Sequence, residues 1–187
     1  MRIVGGTQKG YSLKRPKSAD VRPTTEKIRE ALFNILRSVE NNRFLDLFAG
    51  TGSVGLEALS RGAAKAVFVE RNAAAVKALD ADIKHLNLDA YAEIIALDCR
   101  KALAILGNRG ELFDDIFIDP PYQRGWIEET LTGIHDHGLA NAESIIIVQH
   151  SKREPVNVEE DKFTMIDRRS YGDSMLSFIK LKKEAGT

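Results

Sequence analysis

The run Ile116-Phe117-Ile118-Asp119-Pro120-Pro121-Tyr122 places a carboxylate, two prolines and an aromatic ring directly after three apolar residues. The apolar triplet reads as the end of a buried strand. The step that follows has the makings of an acceptor for N–H groups. An amine conjugated to a planar ring is a weak nucleophile, because its lone pair is delocalised. Two acceptors placed along its N–H bonds favour a more tetrahedral nitrogen and release that lone pair. The Asp119 carboxylate and the Pro120 carbonyl are the two acceptors. Proline fixes φ and carries no N–H, so Pro120 and Pro121 hold that carbonyl rigidly. Tyr122 offers a face on which an extruded base would stack.

A second constellation lies upstream. Leu45-Asp46-Leu47-Phe48-Ala49-Gly50-Thr51-Gly52-Ser53-Val54-Gly55 contains G-x-G-x-x-G, and Glu70 follows about twenty residues later, the spacing of a dinucleotide fingerprint. Asp46 argues against a dinucleotide. A pyrophosphate needs backbone N–H groups and a helix N-terminus against its negative charge, and a carboxylate just before the turn repels it. The same carboxylate attracts S-adenosylmethionine, which carries a sulfonium and an ammonium group and no phosphate. Glu70 suits ribose hydroxyls, and Asp98 suits an adenine amino group. Asp46, Glu70 and Asp98 are each expected near the end of one of three successive strands, on one edge of a sheet.

The elements that would position these groups alternate along the chain. FLDLFA, KAVFVE, AEIIALD, DIFID and SIIIVQH read as strands; SVGLEALSR, NAAAVKALDADIKHL, RKALAIL and WIEETLTGIHDHG read as helices. Before them, Thr24 or Thr25 caps a helix with an apolar stripe at Ile28, Ala31, Leu32, Ile35 and Leu36. After them, FTMIDRR-SYGD-SMLSFIKLKK reads as an antiparallel hairpin. Such alternation predicts an α/β, doubly wound fold with a mostly parallel sheet and helices on both faces. Residues 1–16 read as a short hairpin that turns at Thr7 to Gly10.

The 187 residues suit one domain of ordinary size, and the chain is 43% hydrophobic and 29% charged, as in soluble globular proteins. No apolar run approaches the roughly 18 residues of a membrane span. The first residues lack a secretory apolar stretch. Cys99 is the single cysteine, which excludes an intrachain disulfide and fits a reducing cytoplasm. No His/Cys spacing points to a metal. Net charge is zero but unevenly spread. Arg2, Lys9, Lys14, Arg15, Lys17 and Arg22 face only Asp20 in residues 1–22, a balance of +5, and the remaining 21 basic and 26 acidic residues give −5. A basic arm (1–22) on an acidic body (23–187) points to a polyanionic partner.

LDLFAGTGSVGLEALSRGA, FVE and FIDPPY together resemble class I methyltransferases. More narrowly, with MRIVGGTQKGYSLKRP and RPTTEKIREALFNIL, nearly the whole chain resembles the RsmD-type bacterial enzymes that methylate guanine N2 in 16S ribosomal RNA. The resemblance implies a seven-stranded sheet with its last strand antiparallel, S-adenosylmethionine as cofactor, and 16S rRNA or the small subunit as partner. It implies that Asp46, Phe48, Ala49, Gly50, Thr51, Gly52, Glu70, Arg71, Asp98 and Cys99 hold the cofactor, with Cys99 acting through its backbone. Asp119, Pro120, Pro121 and Tyr122 would grip the guanine amine. Arg22, Pro23 and Thr24 would border the site, and Arg168 and Arg169 on the last hairpin would approach RNA beside the basic arm. Tyr11 stands where the resemblance leads one to expect arginine. The residues alone leave open N6 methylation of adenine in DNA or RNA, since Asp-Pro-Pro-Tyr serves both amines. Less favoured are an NAD-dependent oxidoreductase and an idle RNA-binding module. A monomer is expected, because no interface stripe is visible.

Overall fold

A computed structural model describes residues 1–14, 25–121 and 125–182. It contains α1 (Glu26–Leu36), β1 (Arg43–Leu47), α2 (Ser53–Ser60), β2 (Lys65–Val69), α3 (Ala73–His85), β3 (Ala92–Ile95), α4 (Cys99–Asn108), β4 (Asp115–Ile118), α5 (Trp126–Asp136), β5 (Ile145–Ser151), β6 (Phe163–Tyr171) and β7 (Ser174–Leu181). The seven strands form one sheet in the order β3-β2-β1-β4-β5-β7-β6. Pairs β1–β2, β2–β3 and β4–β5 are parallel, whereas β7 runs antiparallel to both β5 and β6. This is the doubly wound architecture expected, with the antiparallel hairpin at its end. Among the described residues, no helix is long and apolar enough to cross a membrane.

The chain divides into two compact units, Met1–Cys99 and Arg100–Thr187. In the first, β1 and β2 are buried from their second residue onward. Burial on both strand faces requires cover on both, and beyond their first residues the two strands are apolar except at Asp46. Helix α2 is buried at all eight positions. It lies so close to β2 that a Cβ at Gly55 would sit 2.3 Å from Phe68 Cε1. Helix α1 starts at Thr25, whose hydroxyl accepts the Ile28 N–H at 3.3 Å, so the cap is the second of the two threonines.

Residues 1–14 form the expected hairpin around a single antiparallel bridge, Arg2 to Ser12. It is sewn onto α2 and α3. Thr7 donates its backbone N–H to the Ser60 carbonyl at 2.8 Å, and Val4 donates to Glu57 Oε2 at 2.8 Å. Glu57 is fully buried and also accepts from Arg61 at 2.9 Å, with the equally buried Arg29 at 3.8 Å. On the other side, Asp82 of α3 takes the Tyr11 hydroxyl and the Lys14 backbone N–H, both at 2.8 Å. Tyr11 also stacks on His85, with ring centroids 5.3 Å apart.

In the second unit, β4 is buried at all four positions and β5 at its five central ones. Helices α4 and α5 approach closely, since a Cβ at Gly133 would lie 2.8 Å from Leu103 Cδ1. Strand β6 alternates buried or half-buried with exposed residues over its first half, as an edge strand with one wet face does. His150 is structural here. Its Nδ1 lies 2.9 Å from the Ser151 carbonyl and 2.8 Å from that of Glu154, and its Nε2 lies 2.8 Å from the Ser177 hydroxyl. Two carbonyls can only accept, so Nδ1 carries a proton toward them.

Candidate active site

The glycine loop begins two residues earlier than its glycines. Strand β1 stops at Leu47, short of the expected Ala49, because Phe48 turns to a φ of 63°. A bulky residue in the left-handed region is strained. Gly50 and Gly52 share that region, at 55° and 69°, where glycine carries no such penalty. Three left-handed residues in alternation curl the backbone sharply. Gly52 then serves as N-cap of α2 without a side-chain bond, and a Cβ there would also lie 2.3 Å from Leu79 Cδ1.

Two of the three acids anchor this loop. Asp46 is 2% exposed, and its Oδ2 accepts the Gly55 N–H at 2.9 Å. Its charge therefore sits behind the loop. Glu70, directly after β2, accepts the Gly50 N–H through Oε2 at 2.8 Å and the Asn72 N–H through Oε1 at 2.7 Å. A carboxylate has about four acceptor positions, so these two bonds leave capacity for two hydroxyls. Asp98 directly precedes α4, and its half-buried side chain lies 3.9 Å from Arg71 Nη1. Cys99, the first residue of α4, is buried, with its thiol packed inside. Ala49 donates its N–H to the Val69 carbonyl at 2.9 Å, and Thr51 is buried. The donor set is rich in carboxylates and backbone amides. It fits a cation bearing vicinal hydroxyls and an adenine, and it fits a pyrophosphate badly.

In the second unit, Asp119 follows β4 immediately. Its Oδ2 accepts from Gln149 Nε2 at 3.2 Å. Pro120 is buried and Pro121 exposed, so the step leaves the core within two residues. Tyr122 lies outside the described residues. Gln149 went unnoticed in the sequence because it sits in the apolar run SIIIVQH. The available signal was an amide at a position where the strand is otherwise aliphatic. Beyond the step, Trp126 opens α5, and the Arg100 guanidinium stacks on its ring at 4.5 Å while pairing with Glu129. The hydrogen bond from Arg100 holds the Glu129 carboxyl below its ordinary range.

The basic residues are dispersed. Arg2 pairs with Glu26 at 3.3 Å in an exposed bridge, while Lys9 and Lys14 are exposed on the hairpin. Arg169 pairs with Asp167 at 2.9 Å, and Arg168 donates to the Val156 carbonyl at 3.2 Å. Arg15, Lys17 and Arg22, with Pro23 and Thr24, lie outside the described residues.

Comparison with known proteins places this arrangement. The chain is 33% identical to YlbH of Bacillus subtilis (strain 168) over 187 residues, the full length of both. It is 38% identical over 150 residues to Ribosomal RNA small subunit methyltransferase D of Escherichia coli (strain K12), covering 80% of this chain and 74% of that one. A solved structure of a hypothetical protein from Thermus thermophilus superposes with a TM-score of 0.80 at 34% identity, covering 95% of this chain and 98% of that one. The family model described as Conserved hypothetical protein 95 matches residues 1–180. The chain belongs to that family, the RsmD-type class I methyltransferases.

Proposed function

We propose that the protein transfers a methyl group from S-adenosylmethionine to the exocyclic N2 amine of a guanine in 16S ribosomal RNA of the small subunit. Asp119 carries the reading: a carboxylate directly beyond a buried strand and before two prolines. The name of the Escherichia coli relative supports the substrate class.

When bound, S-adenosylmethionine supplies an electrophilic methyl group on a cationic sulfur. Everything else is asked of this chain. Phe48, Ala49, Gly50, Thr51 and Gly52 shape a backbone cradle that the carboxylates of Asp46 and Glu70 hold from behind. The remaining capacity of Glu70 accepts ribose hydroxyls. Asp98, beside Arg71 and the Cys99 backbone, takes the adenine amino group. Asp119 and the Pro120 carbonyl accept the two N–H bonds of the guanine amine, Pro121 stiffens the step, and Tyr122 stacks on the base. The amine becomes acidic only after alkylation, so Asp119 acts as an acceptor and need not be a strong base. Holding the amine in line with the methyl group is mainly proximity and orientation. Residues 1–22 act as an RNA-binding arm on a 23–187 methyltransferase domain, joined by Arg168 and Arg169. The protein works as a monomer in the reducing cytoplasm that its single cysteine fits.

The test uses isotopically labelled S-adenosylmethionine with unmodified small subunits, naked rRNA and DNA, followed by digestion. Labelled N2-methylguanosine from the ribosomal samples is the expected product. N6-methyladenosine would overturn the guanine assignment and keep the chemistry.

A further inference from the structure

Gln149 bonds to Asp119, and the methyl-transfer reading has not used its chemistry. It sits in β5 after Ile145, Ile146, Ile147 and Val148, and it is 3% exposed. The parallel register pairs Ile118 with Val148, so the next residues along, Asp119 and Gln149, stand side by side. Its Nε2 donates to Asp119 Oδ2 at 3.2 Å. Its Oε1 is buried and has no hydrogen-bond partner among the described residues. A buried amide oxygen without a donor is destabilising. An aliphatic residue would continue the strand without that cost. Packing therefore does not account for glutamine here.

We infer that Gln149 is a positioning residue for the methyl transfer, fixing the orientation in which the Asp119 carboxylate meets the target amine. The inference rests on the reading of Asp119 as that amine's acceptor. The choice of an amide follows from the chemistry. Its N–H restricts rotation of the Asp119 side chain, yet it adds no charge. A lysine would form an ion pair with the carboxylate and draw off its acceptor strength. A glutamate would set two carboxylates side by side, and like charges at that separation share a proton. Asp119 would then spend neutral pH partly protonated, as a donor facing a group that also donates.

The experiment compares wild type with D119A, Q149M and Q149E, on full-length protein with the ribosomal substrate that gives labelled product. D119A is expected to be inactive while still binding S-adenosylmethionine. Q149M, which keeps the volume and removes the amide, is expected to lower kcat at least tenfold with KM for S-adenosylmethionine within twofold. Its Tm is expected to stay at or above that of wild type, because an unpaired buried oxygen goes with the amide. Q149E is expected to move the acid limb of the kcat–pH profile upward by at least one pH unit. A residue that merely packs in β5 would change Tm and leave that limb in place. Wild-type kcat in Q149M, or an unshifted limb in Q149E, overturns the role of Gln149 while an inactive D119A leaves the acceptor reading intact. Full activity in D119A overturns both. If Q149M does not fold, the Q149E profile decides.

Discussion

The carboxylate of Asp46 accepts the backbone N–H of Gly55 at 2.9 Å, tying the end of β1 to the first turn of α2 from beneath the glycine loop. Geometry and charge are separable at this position. Asp46→Asn keeps an acceptor and removes the charge; Asp46→Ala removes both. The alanine variant is expected to lose about 2 kcal/mol of stability through a stranded buried N–H. Both variants are expected to bind S-adenosylmethionine at least tenfold more weakly, with the asparagine variant melting close to wild type. Calorimetric titration and thermal melts read the two quantities. Unchanged affinity in the asparagine variant would mean that the charge is not felt at the loop.

Gly55 sets two effects against each other. Alanine inside a helix gains about 1 kcal/mol over glycine. A Cβ at 2.3 Å from the Phe68 ring must displace a fully buried side chain, and overpacking of that kind costs about 1–3 kcal/mol. The clash is expected to win, so Gly55→Ala should lower stability by about 1 kcal/mol. Adding Phe68→Leu should recover part of that loss. A stabilised single variant in denaturant titration would show that β2 yields.

Tyr11 shows a pH dependence with a definite sign. Burial, then its hydrogen bond to Asp82 and the charge there, push the phenol up to about 12 from an ordinary 10. The folded state thus holds this proton where the unfolded chain has released it. The stabilisation is fully present below about pH 10 and is lost as pH rises through about 12. Tyr11→Phe is expected to melt lower than wild type at about pH 8, by about 1.5 kcal/mol for a bond to a charged acceptor. The gap in Tm should close between about pH 10 and 12. A constant gap across that range would exclude the Tyr11 hydroxyl as its source.

The exposed lysines of the hairpin make a prediction about RNA. Each phosphate contact to single-stranded RNA contributes about 0.7 to the slope of log affinity against log salt. Replacing Lys9 and Lys14 with glutamine is expected to flatten that slope by about 1.4 and to weaken binding at low salt. An unaltered slope would make the two lysines a solvated face.

The alternation of elements was legible in the sequence, because strands covered on both faces are mostly apolar, as Ile116 to Ile118 are. Turn chemistry was legible too, in Thr25 before α1 and in the Gly172-Asp173 turn between β6 and β7. The end of β1 was not. Phe48 looks like strand, and only its surroundings force a φ of 63°. Strand β3 likewise stops at Ile95, short of the Asp98 to which its apolar pattern runs. At the site, Asp46, Glu70 and Asp119 stood out by type and spacing, whereas the groups that orient them did not. Gln149 lies 30 residues from Asp119, and Tyr11 lies 71 from Asp82. Hydrogen bonds over such separations leave no local pattern.

The sewing of the hairpin onto α2 and α3 also orders events in time. Lys14 waits for Asp82, 68 residues further along the chain, and Tyr11 waits for the same carboxylate. At about 5–20 residues per second of synthesis, that is a wait of roughly 3–14 s. Throughout it, the Tyr11 hydroxyl and the Lys14 backbone N–H lack the acceptor that α3 brings. A growing chain halted before α3 thus carries this cationic hairpin without the acceptor that fastens it, and its own ribosome, or a chaperone, is the nearest surface for it to meet.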